Sequence, residues 1–189
     1  MVLEENRRRR RNKYKRYNRV RLMFQDEAGF GRISAHSACW APPKIRPSVI
    51  SQRIRKYKTV YGAVSPSDGE SLFVILEKSN SENMNVFLKK LSEKFSGDLI
   101  LLCLDRASWH TSGLLVIPAN IRLFHIPPRT PEMNPIEIVW REIRKIGFKN
   151  KCFDSLESVV KKFREVVDNM SKETIQSITL WNWIEKIIA

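Results

Sequence analysis

The sequence feature that most constrains the fold is a continuous apolar run at residues 98–104 (DLILLCL), which ends directly on Asp105. An apolar run of this length without alternation is typical of a strand that is buried on both faces at the centre of a sheet. Such a strand needs further elements to cover it, which favours an α/β or α+β sheet with helices packed on it. The chain of 189 residues is long enough to build one such domain.

The other elements follow from apolar periodicity and turn residues. Between residues 66 and 69, Pro-Ser-Asp-Gly predicts a tight turn that joins two strands into a hairpin. Pro135 stands where a proline opens a helix. In chain order, we predict a strand at 20–25, a turn at 28–31, strands at 57–65 and 71–77, and a helix from 81 to 95 with Met84, Phe87, Leu88 and Leu91 on one face. These elements are followed by a strand at 98–104, a short helix near 112–117, a strand at 121–126, and helices at 136–146, 153–169 and 172–187.

This order of elements fits one known architecture. Three early antiparallel strands followed by alternating strands and helices predict an α/β, ribonuclease H-like mixed sheet flanked by helices. We expect residues 1–19 to be a basic arm or linker, residues 20–150 to be this ribonuclease H-like domain, and residues 151–189 to be helices that pack on that domain or extend it.

The positive charge of the chain is unevenly distributed. The formal net charge is +14, and residues 1–21 hold ten Lys or Arg against two Glu. Residues 44–58 add six basic residues and no acidic one. Clusters of this kind are either solvated surfaces or contacts to nucleic-acid phosphates. The residues that we predict to bind DNA are Arg9, Arg10, Arg11, Arg53, Arg55 and Lys56.

Three acidic residues lie at the predicted ends of elements. Asp26 ends the first strand, Asp105 ends the central strand, and Glu137 lies in the first turn of the helix after Pro135. Ligand sites of open sheets lie outside strand ends, and three carboxylates there would suit Mg²⁺ or Mn²⁺. Alternatively, each acid caps its own element, as Glu137 does if it interacts only with the helix dipole.

Three blocks around these acids carry a family resemblance: FQDEAGF (24–30), LDRASWHTS (104–112) and PPRTPEMNPIEIVWREIRK (127–145). They resemble the catalytic signatures of the IS630 branch of the IS630/Tc1/mariner transposases. The resemblance implies a ribonuclease H-like DDE domain that cleaves transposon ends and transfers strands with two Mg²⁺ or Mn²⁺ ions. It implies that Asp26, Asp105 and Glu137 are the metal ligands and catalytic residues.

Other residues of these blocks are expected to support the site. We predict that the side chain of Asn134 caps the helix that carries Glu137. His110 either forms a local hydrogen bond or donates to the scissile phosphate. Strand alternation points Glu27 away from Asp26, so we expect Glu27 to form a salt bridge. Position 106 is Arg, where the family often has Asn, and 31 residues separate Asp105 from Glu137, slightly fewer than in Tc1/mariner proteins.

The resemblance also raises expectations about partners. Family members usually carry helix-turn-helix domains before the catalytic domain, whereas a basic segment of about 20 residues precedes the first strand here. We therefore expect a helix-turn-helix partner or a frameshift-fused amino-terminal half, and a homodimer on DNA. The alternative is a non-catalytic DNA-binding or regulatory fragment of a split transposase. Without a secretion signal or an apolar stretch that could span a membrane, the chain is expected in the prokaryotic cytoplasm.

Overall fold

The computed structural model describes residues 17–38, 40–127 and 130–188, so the predicted DNA contacts Arg9, Arg10 and Arg11 lie outside the described residues. The elements are β1 (Arg19–Ile33), β2 (Arg53–Val64), β3 (Ser71–Leu76), α1 (Ser81–Lys94), β4 (Asp98–Leu104), β5 (Ile121–His125), a 3₁₀ turn (Pro131–Met133), α2 (Ile136–Gly147), α3 (Leu156–Asp168), α4 (Lys172–Thr179) and α5 (Asn182–Ile188).

The five strands form one mixed sheet in the order β3-β2-β1-β4-β5. β1, β2 and β3 are antiparallel neighbours, whereas β4 runs parallel to both β1 and β5. The predicted apolar run forms β4, which lies between β1 and β5 as expected for a central strand. Because β1 and β4 are parallel neighbours, the end of β4 before Asp105 lies beside the part of β1 just before Asp26.

Each face of the sheet is covered by helices. On one face α1 buries the four predicted residues Met84, Phe87, Leu88 and Leu91, and Asn80 caps its start by accepting a hydrogen bond from the amide of Asn83 at 2.8 Å. On the other face α2 to α5 contribute Trp140, Phe163 and other apolar side chains to a second core that includes Phe24 and Phe30 of β1. This is the predicted α/β mixed sheet flanked by helices.

The first strand is much longer than predicted. We expected it to end on Asp26 and to be followed by a turn at residues 28–31, but β1 continues to Ile33 with β2 paired along it. The glycines there allow close approach of the two strands instead of a turn. A Cβ atom on Gly31 would lie 2.4 Å from the carbonyl oxygen of Lys56. Asp26 therefore lies within β1, at the point where the pairing with β4 has just ended.

Two predicted helices differ from the structure. Residues 112–117 form a turn and not a helix, because Asn85 of α1 binds the backbone of this segment: its side chain donates to the carbonyl of Leu114 and accepts from the amide of Val116. The predicted helix 172–187 is divided into α4 and α5 at Leu180, whose backbone is not helical. Within the described part of the chain, no helix is both long enough and apolar enough to cross a membrane.

Candidate active site

The register of the sheet brings two of the predicted acids together. β1 and β4 pair in parallel with a constant offset, from Arg19 opposite Asp98 to Phe24 opposite Cys103. Continued by two residues, the same offset places Asp26 opposite Asp105. Because side chains alternate along a strand, the carboxylate of Asp26 lies on the same face of β1 as Phe24. Asp26 and Asp105 therefore stand at matching register positions, two residues beyond the last paired residues of β1 and β4.

The carboxylate of Asp26 is held by a tryptophan from α2. Nε1 of Trp140 donates a hydrogen bond to Oδ2 of Asp26 at 3.0 Å, and the indole is 1% exposed. Gly62 lies opposite Asp26 on β2 and makes room for the indole, since a Cβ atom at position 62 would lie 2.4 Å from Cη2 of Trp140. The indole is also part of the hydrophobic core on this face of the sheet.

The pKa of Asp26 is far from its ordinary value. Burial, followed by the negative charges of Glu137 and Glu27, raises its pKa from 3.8 to about 7, although hydrogen bonds from the Glu27 backbone and from Trp140 act in the opposite direction. The effect of Glu137 indicates that its carboxylate lies near Asp26. The two acids thus form a repulsive pair at the site, which favours binding of a proton or a cation.

Asp105 is held by a histidine from the loop that follows it. Oδ1 of Asp105 accepts hydrogen bonds from the amide of Ala107 at 2.9 Å and from Nδ1 of His110 at 2.7 Å. The other ring nitrogen, Nε2, donates to Oε1 of Glu27 at 2.9 Å. Burial lowers the pKa of His110, but hydrogen bonds and negative charge from Glu27 and Asp105 outweigh burial and raise it. The predicted salt bridge of Glu27 is confirmed, and its partner is His110.

Glu137 lies in the first turn of α2, as predicted, but Asn134 does not cap this helix through its side chain. The helix begins after Pro135 without a side-chain cap. Instead Nδ2 of Asn134 donates to the backbone carbonyl of Gln25 at 3.0 Å, while its buried Oδ1 contacts no donor among the described residues. Asn134 thus fastens the start of α2 to β1 directly beside Asp26.

A comparison with protein families identifies the domain. The model described as "DDE superfamily endonuclease" matches residues 21–160, a segment that includes Asp26, Asp105 and Glu137. The chain belongs to the DDE superfamily endonucleases. A relative, the uncharacterized protein y4pE/y4sA of Sinorhizobium fredii (strain NBRC 101917 / NGR234), is 33% identical over 132 residues, which cover 67% of this chain and 96% of that protein.

Solved structures confirm the fold of this DDE endonuclease domain. The Mos1 transposase paired-end complex with left transposon end matches with a TM-score of 0.66 at 15% identity, over 94% of this chain and 55% of that chain. The Mos1 mariner paired end complex with Mn matches with a TM-score of 0.65 at 15% identity, over 88% of this chain and 52% of that chain. The chain thus spans about half the length of the Mos1 chains that it matches. At this identity the likeness shows the predicted ribonuclease H-like fold.

The acids of this DDE endonuclease fit a hard divalent cation by their chemistry. Asp26 and Glu137 repel each other, and the hydrogen bonds that reach Asp26 come from an indole and from the backbone. Carboxylate oxygens are the ligands that Mg²⁺ and Mn²⁺ prefer. As the side chains stand, no three His, Cys, Asp or Glu residues of the described segments converge into a single metal site.

The predicted DNA contacts Arg53, Arg55 and Lys56 lie at the start of β2. β3 pairs with β2 only from Thr59 onward, so residues 53–58 of β2 pair with β1 alone and form a two-stranded ribbon beyond the sheet. All three basic side chains are exposed, and the ion pairs found among the described residues do not involve them. The ribbon therefore presents uncompensated positive charge to solvent.

Two contacts of the DDE site were missed by sequence reasoning. The hydrogen bond from Trp140 to Asp26 had a signal, since Trp140 follows Glu137 by three residues and so shares its helix face. The sequence carries a weaker signal for the link from Glu27 through His110 to Asp105. Alternation along β1 puts Glu27 on the opposite face from Asp26, but no pattern in the sequence shows that the loop after β4 folds beneath that face.

Proposed function

We propose that this chain is the catalytic part of a transposase of the IS630 branch, which cleaves DNA strands at insertion-sequence ends and transfers them to target DNA. One observation carries the proposal. Asp26 and Asp105 stand at matching register positions of neighbouring parallel strands, and the charge of Glu137 acts on Asp26. This is the arrangement of acids that the DDE family name describes.

In this proposal Asp26, Asp105 and Glu137 would hold two Mg²⁺ or Mn²⁺ ions through their carboxylate oxygens. The ions, when bound, supply an activated water or 3′-hydroxyl and stabilise the leaving oxygen of the phosphodiester. The protein contributes orientation. Trp140 fixes one oxygen of Asp26, His110 fixes one oxygen of Asp105, and Asn134 anchors the helix that carries Glu137. The Mn in the Mos1 complex is consistent with this choice of metal.

DNA is the proposed substrate and main partner. In support, the exposed ribbon residues Arg53, Arg55 and Lys56 lie on β2 opposite the part of β1 that continues beyond Asp26. We propose that residues 20–150 form the catalytic domain and that the helices after residue 150 complete its core. The helix-turn-helix partner and the homodimer on DNA stay predictions.

A cleavage assay tests the proposal. Labelled insertion-sequence end DNA is incubated with the full chain, with and without a helix-turn-helix partner, and Mg²⁺ or Mn²⁺ is titrated. Asp26→Ala, Asp105→Ala and Glu137→Ala should each lower nicking at least about 100-fold, because even residues that only support metal ligands typically contribute 10–100-fold. Glu132→Ala is the matched control, since Glu132 is an exposed acid just before α2. Equal nicking by the wild type and all three variants would overturn the proposal.

The second candidate function is a non-catalytic DNA-binding or regulatory fragment. The uncompensated charge of the ribbon favours it, since such a surface binds phosphates without any metal chemistry. This candidate predicts salt-sensitive DNA binding that is unchanged by Asp26→Ala and no nicking with either metal. The same assay therefore separates the two functions.

A further inference from the structure

Glu27 is a buried carboxylate that the proposed reaction does not use. Its side chain is 7% exposed and lies on the opposite face of β1 from Asp26. Two donors reach its Oε1 atom: Nε2 of His110 at 2.9 Å and Nε1 of Trp109 at 3.3 Å. Burying a carboxylate costs free energy unless it is paired and hydrogen-bonded. The loop after β4 supplies both partners, so Glu27 determines where this loop lies.

His110 connects Glu27 to the site. Its ring is 1% exposed, and it uses one nitrogen for Glu27 and the other for Oδ1 of Asp105 at 2.7 Å. Ionised carboxylates only accept hydrogen bonds, so a ring that donates to both holds a proton on each nitrogen. The result is a continuous hydrogen-bonded link from a residue in the middle of β1 to a residue just beyond the end of β4.

The carboxylate of Asp105 has few other contacts that fix its orientation. Its side chain is 61% exposed, and the two side-chain hydrogen bonds described for it, from Ala107 and His110, both end on Oδ1. A carboxylate held through one oxygen keeps the other oxygen for a ligand. Metal-binding carboxylates are commonly oriented in this way by hydrogen bonds from residues around them.

We propose that Glu27 is a positioning residue, which fixes Oδ1 of Asp105 through His110 so that Oδ2 of Asp105 remains available to a divalent cation. This inference rests on the proposed function, because it assumes that Asp105 binds a metal. It adds Glu27 to the residues on which the site depends and gives His110 a defined role as the connector. Trp109 donates a second hydrogen bond to the carboxylate of Glu27.

The first test is a direct measurement of Mn²⁺ affinity on the full chain by electron paramagnetic resonance. Glu27→Ala and His110→Ala should each weaken Mn²⁺ binding about 10–100-fold, the usual range for residues that orient metal ligands. Glu27→Gln keeps an oxygen acceptor in the same place and should restore most of the affinity. The double variant Glu27→Ala/His110→Ala should be no weaker than His110→Ala, because both changes break one link.

Two controls separate positioning from general destabilisation. Thr179→Val removes a buried hydroxyl that donates to the carbonyl of Ile175 on α4, and it should lower Tm without changing Mn²⁺ affinity. Imidazole ¹⁵N signals of His110 should show protons on both nitrogens in the wild type and lose this pattern in Glu27→Ala. This readout needs neither metal nor DNA.

The outcomes are distinct for the two proposals. If the wild type binds no Mn²⁺, the proposed function fails, and the His110 signals still decide whether Glu27 holds the ring. If the wild type binds Mn²⁺ but Glu27→Ala binds within twofold of it with unchanged His110 signals, Glu27 is not a positioning residue. Additive losses in the double variant would also overturn the link.

Discussion

Trp140 and Asp26 are joined by a hydrogen bond of 3.0 Å from the indole N–H to Oδ2, which connects α2 to the middle of β1. The indole has room to reach Asp26 because the residue opposite Asp26 on β2 is Gly62. A glycine on one strand, a tryptophan on a helix and an acid on the neighbouring strand thus form one packed unit. The indole could not keep this position if a residue with a Cβ atom replaced the glycine.

Gly62→Ala tests this unit. The added methyl group would lie 2.4 Å from the indole, so Trp140 has to move. We expect a loss of about 1–3 kcal/mol in the free energy of unfolding, as is typical of overpacked cores, together with weaker Mn²⁺ binding. Urea denaturation and metal titration measure the two effects. Gly113→Ala is the control, since nothing lies within 4 Å of a Cβ atom there, and its stability should change by less than about 0.5 kcal/mol.

Trp140→Phe separates the hydrogen bond from the packing. Phenylalanine keeps most of the aromatic contact but removes the N–H donor that lowers the pKa of Asp26. The pKa of Asp26 should therefore rise further, and the pH midpoint of Mn²⁺ binding should move to higher pH. Titrations of Mn²⁺ affinity between pH 5.5 and about pH 9 measure the midpoint. A midpoint equal to that of the wild type would show that the indole N–H has no influence on Asp26.

The raised pKa of Asp26 also predicts how the stability of the metal-free protein depends on pH. The folded state binds a proton on Asp26 more tightly than the unfolded chain does. The stability that protonated Asp26 contributes is therefore fully present below its unfolded pKa of 3.8 and is lost as the pH rises through about 7. Asp26→Asn keeps an acceptor for Trp140 and carries no charge, so it should avoid this loss.

We expect Asp26→Asn to be more stable than the wild type by about 2–4 kcal/mol at pH 8, with the difference disappearing near pH 4. Chemical denaturation in the presence of a chelator at several pH values gives the comparison. Asp154→Asn, at an exposed acid outside the site, should follow the wild type at every pH. A difference for Asp26→Asn that is constant with pH would contradict the electrostatic origin.

The basic ribbon predicts a specific salt dependence of DNA binding. Replacing Arg53, Arg55 and Lys56 by alanine should weaken binding of all DNA sequences to a similar degree. The slope of log affinity against log salt concentration should become smaller by up to about 2.7, because each phosphate contact contributes about 0.9. Fluorescence anisotropy at several salt concentrations measures the slope. Lys89→Ala/Lys90→Ala removes two exposed charges from α1 and should leave the slope unchanged if the ribbon is the contact surface.

The parts of the fold that could be predicted are those in which one local pattern dominates. The helix face of Met84, Phe87, Leu88 and Leu91 follows from 3.6-residue periodicity, and β4 follows from its unbroken apolar run. The end of β1 could not be predicted in this way. Gly29 and Gly31 are turn residues by composition, but the partner strand β2 determines their conformation, and it pairs from 20 or more residues further along the chain.

The same distinction applies to the site. Asp26, Asp105 and Glu137 are visible in the sequence because each lies near the end of an element or of its pairing. The contacts that hold these acids are not visible in the sequence. Trp140 and Glu27 act on the site only after α2 and the loop following β4 have packed against the sheet. For Asn134, local helix-capping preference was overridden by a tertiary hydrogen bond to the carbonyl of Gln25.

The constant offset between β1 and β4 makes the spacing of the two aspartates independent of the length of chain between them. The segments that join β1 to β2 and β2 to β3 do not take part in this pairing, so a change in their length would leave Asp26 opposite Asp105. A single residue inserted into β1 before Asp26 has a different effect. It would turn Asp26 to the other face of the sheet and bring Gln25 into its place. The position of Asp26 thus depends on the register of the six paired residues of β1 and not on the lengths of these loops.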